Sequence, residues 1–207
     1  MVNPRLLIFH TTLNFIRAFI ADPSISNKGL PIGGIKGTLR ILQKLCRETN
    51  PNKIIFCLDG KGGSTRRKSI SKSYKDGRKP LHLNRNIKML TEQEDLENKI
   101  WQMTRLSDYL NLTPIIQLMY ESVEADDLIA YVSKHQKWKE YNKIIVSNDK
   151  DFLQLCNEDT ILYRPVKEEY CSRKTVLEQY KIHPNNFALA RAMAGDKSDN
   201  LSGIGGV

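Results

Sequence analysis

Short apolar runs alternate with longer amphipathic stretches along the chain, and this alternation predicts the fold. The apolar runs that we expect to form strands are residues 5–9, 54–58, 114–116, 143–147 and 160–163. The stretches that we expect to form helices are residues 13–20, 35–48, about 92–110, 125–132, 151–155, 172–180 and 184–194. Alternation of this kind predicts an α/β fold with a mostly parallel central sheet flanked by helices.

Two further features of the pattern concern packing and domain organisation. In the helix that begins near residue 92, Leu96, Ile100, Met103 and Leu110 recur at helical spacing, which predicts that they share the buried face. We expect an α/β domain over residues 1–181 and a small second unit over residues 182–207.

The net charge of +9 comes from one part of the chain. Residues 60–90 contain ten Lys or Arg and a single acidic residue, Asp76, while basic and acidic residues balance elsewhere. A neutral body with one basic segment indicates a localised contact with a polyanion; a solvated basic loop is the alternative interpretation. Because the segment holds few large apolar residues, we expect it to order only on its ligand.

Membrane and zinc-binding functions are not favoured. No apolar stretch approaches the roughly 18–20 residues of a membrane span. The four cysteines form no CxxC pair and no zinc-ligand spacing. We therefore expect reduced thiols in a cytoplasmic protein, without a membrane partner.

Acidic residues follow the ends of the predicted strands. They are Asp59 after the second strand, Glu124, Asp126 and Asp127 at the helix after the third, and Asp149 and Asp151 after the fourth. Since the carboxyl ends of strands border the functional crevice of an α/β sheet, these acids are expected to converge. Oxygen ligands without clustered His or Cys suit Mg²⁺ or Mn²⁺, and two such ions can cleave a phosphodiester. Taken alone, residues 124–127 also fit helix capping, and residues 149–151 an ordinary turn.

Four motifs resemble those of the flap endonuclease/5′-3′ exonuclease superfamily, and most closely those of phage RNase H and flap endonuclease-type nucleases. They are residues 56–59 with Arg66, Arg67 and residues 74–78; residues 124–130; residues 147–155; and residues 195–201 running into 203–207. The resemblance covers residues 54–207 in family order. It implies a PIN-like 5′-nuclease fold, a basic arch at about residues 60–91, and the start of a C-terminal helix–three-turn–helix.

The resemblance also implies a set of site residues around two ions, Mg²⁺ or Mn²⁺. Those implied for the first ion are Asp59, Glu124 and Asp126. Those implied for the second are Asp127, Asp149, Asp151 and Asp199, with Asp196 in its outer shell. The arch cations implied to act on the scissile phosphate are Lys75 and Arg78. The other implied nucleic-acid contacts are Arg66, Arg67, Lys72, Tyr74, Lys79, Gly203 and Gly205, with K⁺ as an optional ion at the glycines.

The sequence departs from the family pattern at two places. Where the first strand of the family usually ends in a metal-binding Asp, seven residues before an Arg, this chain has His10 before Arg17. A neutral His suits Mg²⁺ poorly, so His10 is either a metal ligand of a different kind or simply a polar residue at a strand end. The chain also stops inside the C-terminal motif, so we expect a truncated second unit.

Three functional hypotheses follow. The first is a structure-specific 5′-nuclease that cuts 5′ flaps, RNA primers or nicked duplexes during DNA replication or repair. Its expected partner is a DNA or RNA/DNA duplex with a free 5′ strand, with replication proteins as candidates, and we expect a monomer, in a bacterial cytoplasm if the chain is phage-encoded. The second is a catalytically weak junction-binding relative, suggested by His10. The third is a PIN-type RNA-processing nuclease.

Overall fold

The computed structural model describes residues 3–70, 72, 87, 90–196 and 201–205. The strands are β1 (Arg5–His10), β2 (Lys53–Leu58), β3 (Ile116–Met119), β4 (Asn142–Val146), β5 (Thr160–Arg164), β6 (Glu169–Cys171), β7 (Gly195–Asp196) and β8 (Leu201–Ser202). The α-helices are α1 (Thr11–Ala21), α2 (Gly33–Thr49), α3 (Thr65–Ile70), α4 (Glu92–Asn111), α5 (Ala125–Lys134), α6 (Arg173–Tyr180) and α7 (Pro184–Ala194). Two short 3₁₀ helices cover Gln136–Trp138 and Lys150–Leu155.

The main sheet has the strand order β3-β2-β1-β4-β5-β6. Its first five strands are parallel, and β6 runs antiparallel to β5. At the centre, Ile8 of β1 is paired with Ile55 of β2 on one side and Ile145 of β4 on the other. The chain therefore leaves β1 towards one edge of the sheet and later returns to its other side at β4. This reversal is a topological switch point, where α/β proteins form their ligand crevice.

Alternate residues of the central strands supply two separate cores. Leu6, Ile8 and Ile145 pack against α5, α7 and the 3₁₀ helices, while Leu7 and Phe9 pack against α1, α2 and α4. Helices thus cover both faces of the sheet, which confirms the predicted fold class. Among the helices in the described part of the chain, none has the length and apolarity needed to cross a membrane.

The predicted buried face of α4 is correct towards the end of the helix, where Leu110 is buried and Met103 packs against the core, and wrong in its first half. Leu96 and Ile100 are 44% and 56% exposed, whereas Asn98 and Gln102 are buried. Gln102 accepts a 3.2 Å hydrogen bond from the N–H of Ile35, in the first turn of α2. Asn98 contributes a second bond, donating to a loop carbonyl just before α2. The first turn of a helix leaves backbone N–H groups without intrahelical partners, so a polar side chain is the better neighbour here.

Five elements were not predicted, and one of them is the 3₁₀ helix Gln136–Trp138. The basic segment begins with a helix, α3; the strand β6 closes one edge of the sheet; and β7 and β8 form a short antiparallel pair. The residue after β8 lies tightly against the end of α7, because a Cβ atom at Gly203 would lie 2.4 Å from the carbonyl oxygen of Met193. This close contact explains why residue 203 is a glycine. At Gly205, in contrast, a Cβ atom would meet open space. The predicted boundary at residue 182 stays a prediction, although Phe187 of α7 is buried in the core of the sheet.

Candidate active site

The carboxyl ends of β1 and β4 are joined at the switch point by a buried asparagine. Asn14 of α1 donates one hydrogen bond to the carbonyl of His10 (2.9 Å) and one to that of Val146 (2.8 Å). Its amide therefore fixes the spacing of the two strands where the crevice opens. Asn14 was not predicted as a functional residue; the available signal was a lone Asn among the apolar residues of the first helix.

A first group of carboxylates lies at the ends of β2 and β3. Asp59 directly follows β2, and its Oδ1 atom accepts a 2.8 Å hydrogen bond from the backbone N–H of Ala125. This bond attaches the end of β2 to the first turn of α5, which carries Asp126 and Asp127. Glu124, the residue before that helix, has a side chain only 5% exposed. The predicted convergence of Asp59 with residues 124–127 is therefore present.

Gly60 allows this close approach. A Cβ atom at Gly60 would lie 1.8 Å from the carbonyl oxygen of Tyr120, and its N–H donates to the carbonyl of Val123 at 3.0 Å. No side chain can be added there without moving the turn that leads into Glu124.

Arg67 of α3 lies against the first group. Its guanidinium donates two hydrogen bonds to the carboxylate of Asp127, at 3.1 and 3.0 Å. Its Nη1 atom is also 3.0 Å from the Oε2 atom of Glu124. The structure therefore places Asp127 beside Glu124, across one arginine, whereas the resemblance implied Asp127 for the second ion together with Asp149 and Asp151. Arg67 was predicted as a nucleic-acid contact, and it is an internal counter-ion in this structure.

A second group lies beyond β4. Asp149 accepts a 2.9 Å hydrogen bond from the N–H of Asp151, and Arg191 of α7 bridges Asp151 (3.2 Å) and Asp196. Burial raises the pKa of the Asp151 carboxyl, and the nearby negative charges of Asp149 and Asp196 raise it further, against the lowering effect of Arg191. Arg191 was missed, because nothing in the sequence connects it with an acid forty residues earlier.

His10 lies between the two groups. Its Nδ1 atom is 3.5 Å from Oδ1 of Asp126 and 3.2 Å from the hydroxyl of Ser147, which in turn accepts from the N–H of Asp149 at 3.1 Å. The ring is buried and meets Phe152 edge-on, with centroids 5.7 Å apart. His10 is thus a buried polar residue at the end of β1, positioned between carboxylates, and its role as a metal ligand stays a prediction.

The donor chemistry of both groups fits a hard divalent ion. Carboxylate oxygens are the ligands that Mg²⁺ and Mn²⁺ prefer. Within the described residues, however, no three His, Cys, Asp or Glu side chains are arranged to hold a metal ion. Arg67 and Arg191 supply positive charge to carboxylates of the two groups. The carboxylates of both groups are therefore of the right chemical type for such an ion. Arg67 and Arg191 contact some of the carboxylate oxygens that would have to bind it.

Some of the other predicted site residues lie in the described part of the chain and the rest lie outside it. Arg66 and Lys72 are exposed at the start of the basic segment. Those outside the described residues are Tyr74, Lys75, Arg78, Lys79 and Asp199. Their assigned roles stay predictions.

Comparison with known proteins agrees with this geometry. The family described as "5′-3′ exonuclease, N-terminal resolvase-like domain" matches residues 5–181. The chain belongs to this family. A 5′-3′ exonuclease of Aquifex aeolicus is 31% identical over 196 residues, which cover 92% of this chain and 61% of that protein. DNA polymerase I of Bacillus subtilis is 30% identical over 196 residues, 92% of this chain but 21% of the polymerase. The chain thus spans about three fifths of the Aquifex exonuclease.

Solved structures show the same fold. The bacteriophage T5 D15 flap endonuclease, in a complex with DNA and metal ions, superposes with a TM-score of 0.77 at 21% identity, covering 98% of this chain and 71% of that one. The catalytic core of Rad2 with a DNA substrate gives a TM-score of 0.55 at 14% identity, covering 99% and 57%. At these identities the likeness concerns the fold, and it agrees with the predicted 5′-nuclease architecture.

Proposed function

We propose that this chain is a metal-dependent 5′-nuclease that hydrolyses phosphodiester bonds in duplex DNA, or an RNA/DNA duplex, with a free 5′ strand. The observation that carries the proposal is the arrangement at the switch point. Carboxylates from β2, from the start of α5 and from the turn after β4 lie on either side of His10, at the carboxyl edge of a parallel sheet. The family membership of the chain supports the same reaction.

The proposed ions are two Mg²⁺ or Mn²⁺. The residues that would hold them are Asp59, Glu124, Asp126 and Asp127 in the first group and Asp149 and Asp151 in the second, with Asp196 in the outer shell and Asp199 as a further predicted ligand. When bound, such ions lower the pKa of a coordinated water and stabilise the negative charge on the leaving oxygen. K⁺ at Gly203 and Gly205 remains an optional addition to the proposal.

The side chains of the protein orient these ligands. Asp59 is held by the Ala125 N–H, and Asp149 by the Asp151 N–H, so each presents a carboxylate whose direction is set by the backbone. Asn14 and Ser147 fix the ends of β1 and β4 between them. Such outer contacts typically change metal affinity or activity by about 10- to 100-fold when removed. The exposed cations Lys61, Arg66 and Lys68 offer contacts to the substrate phosphates next to the first group.

One observation favours a second candidate, a junction-binding protein with weak catalysis. His10 is buried 3.5 Å from Asp126, at the position where the family pattern has an acidic ligand. An imidazole there contributes no negative charge to the first ion site.

A substrate comparison tests the proposal. A labelled 5′-flap duplex and a single-stranded RNA of equal length are incubated with the protein and Mg²⁺. Faster cutting of the flap near its junction is the expected result. Tight flap binding without cutting supports the weak relative, and faster cutting of the single-stranded RNA supports a PIN-type RNA nuclease. We also propose that the protein acts as a monomer in the cytoplasm, together with replication proteins.

A further inference from the structure

Arg67 binds carboxylate oxygens of the first group, which the proposed function assigns to a metal ion. The guanidinium engages both carboxylate oxygens of Asp127 and one oxygen of Glu124. The Glu124 side chain is nearly buried, and an ionised carboxylate in such a place needs a cation close by. In this structure that cation is an arginine of the protein itself.

The contact is also an attachment point for α3. This helix has six residues and none of them is buried, so apolar packing contributes little to its position. Arg66, which precedes Arg67 in the same helix, is exposed and forms no ion pair with any described residue. The Arg67 contacts therefore connect α3 itself to the carboxylates, beyond the backbone bonds that hold residues 60 and 61 to the turn before Glu124.

We propose that the Arg67 guanidinium and a divalent ion compete for Glu124 and Asp127, so that metal binding detaches α3 from the first carboxylate group. The inference rests on the proposed function, because it takes these carboxylates as a metal site. A bidentate guanidinium and a metal ion cannot occupy the same oxygen lone pairs, and their positive charges repel. Detachment frees the Arg67 side chain for a substrate phosphate beside the site.

Binding linkage makes the competition measurable in two directions. If Arg67 weakens metal binding, metal binding weakens the Arg67 contact by the same factor. Removing the arginine must then tighten the metal site, and adding metal must loosen α3 in the wild-type protein. A residue with a merely structural role would have the opposite effect on metal affinity, since its loss would disorder the ligands.

Calorimetric titration with Mn²⁺, in the absence of nucleic acid, tests the first direction. Arg67→Ala is compared with wild type and with Arg66→Ala, which removes the same charge from the adjacent position of the same helix. We expect Arg67→Ala to bind Mn²⁺ at least about 5-fold more tightly than Arg66→Ala, the lower end of typical coupling between sites. Arg67→Lys keeps the charge but loses the bidentate geometry, so its affinity should be intermediate.

Hydrogen exchange of the amides in residues 65–70 tests the second direction. Mn²⁺ should speed exchange in wild type and in Arg66→Ala, and leave Arg67→Ala, where exchange is already fast, unchanged. Equal or weaker Mn²⁺ binding by Arg67→Ala and Arg67→Lys than by Arg66→Ala, or exchange that Mn²⁺ slows, would overturn the inference. If wild type cuts a 5′ flap while this result is found, the competition alone is wrong. If wild type and all three variants fail to bind Mn²⁺, the inference falls together with the proposed function.

Discussion

Asp59 accepts a 2.8 Å hydrogen bond from the backbone N–H of Ala125. The residue that directly follows β2 therefore also caps the first turn of α5. The acceptor is a single oxygen of the carboxylate, which leaves the other oxygen for a ligand. The charge and the cap can therefore be separated by substitution.

Asp59→Asn should keep the fold and lose the activity. The amide oxygen still accepts from the Ala125 N–H, while the negative charge is gone. We expect unfolding free energy within about 0.5 kcal/mol of wild type, as for changes that remove no structural contact, and cleavage reduced by more than the roughly 10- to 100-fold typical of outer-shell changes. Asp59→Ala, which also removes the cap, should cost about 1 kcal/mol in addition. Urea unfolding and a flap-cleavage assay provide both values; equal stability of the two variants would show that the cap is unimportant.

His10→Asp should strengthen the metal site at the expense of the metal-free fold. The new carboxylate would lie near Asp126 in a buried position, where like charges repel. We expect a lower melting temperature than wild type in EDTA, recovery with Mn²⁺, and faster flap cleavage. His10→Asn introduces a side chain of the same size as His10→Asp but without its charge, so its melting temperature should not recover with Mn²⁺. If His10→Asp is folded with Mn²⁺ but cuts more slowly than wild type, the histidine contributes to catalysis in its own right.

Asp151 should make the metal-free protein less stable as pH rises. Its pKa is raised above the usual 3.8 by burial and by Asp149 and Asp196, so the folded state holds this proton more tightly than the unfolded chain. Ionisation then lowers stability as pH rises from the unfolded pKa through the folded one. Asp151→Asn removes this effect and keeps an acceptor for Arg191. In EDTA the variant should be slightly more stable than wild type at pH 7, and the difference should narrow towards pH 4. A variant that is less stable at pH 7, with a gap independent of pH, would contradict this.

The described cations at the start of the basic segment should determine part of the salt dependence of DNA binding. Three of the exposed residues are Lys61, Arg66 and Lys68. Replacing all three with Gln should make the log–log salt slope shallower by up to about 0.9 per lost phosphate contact. Binding is measured by fluorescence anisotropy in EDTA, so that cleavage does not interfere. Lys139, Lys174 and Lys181, exposed elsewhere on the body, provide a control triple with the same change of charge. Equal slopes for the two triples would remove these cations from the interface.

The parts of this structure that could be predicted from sequence are those fixed by local pattern. The apolar runs located β1, β2, β4 and β5, and their parallel order placed Asp59 and Asp149 at one edge of the sheet. The acid-rich start of α5 was recognised because its residues are consecutive. These features depend on short stretches of chain and on one general rule about parallel sheets.

Long-range polar contacts could not be predicted in the same way. The buried face of α4 is set by Asn98 and Gln102, which satisfy backbone groups near α2 that are about 67 residues away in sequence. Arg67 lies in a run of cations, and nothing in that run distinguishes it from Arg66. Both depend on which backbone groups and charges the fold brings together, information that hydrophobic periodicity does not contain.

In the proposed function, the carboxylates beside the switch point drive metal-dependent hydrolysis. The most direct measurement is cleavage of a labelled 5′-flap duplex by the wild-type chain in Mg²⁺ and in EDTA, beside an Asp149→Asn/Asp151→Asn double variant that still binds the duplex. We expect cutting near the junction in Mg²⁺, none in EDTA, and none by the double variant. Cutting that persists in EDTA, or in the double variant at the wild-type rate, would contradict it.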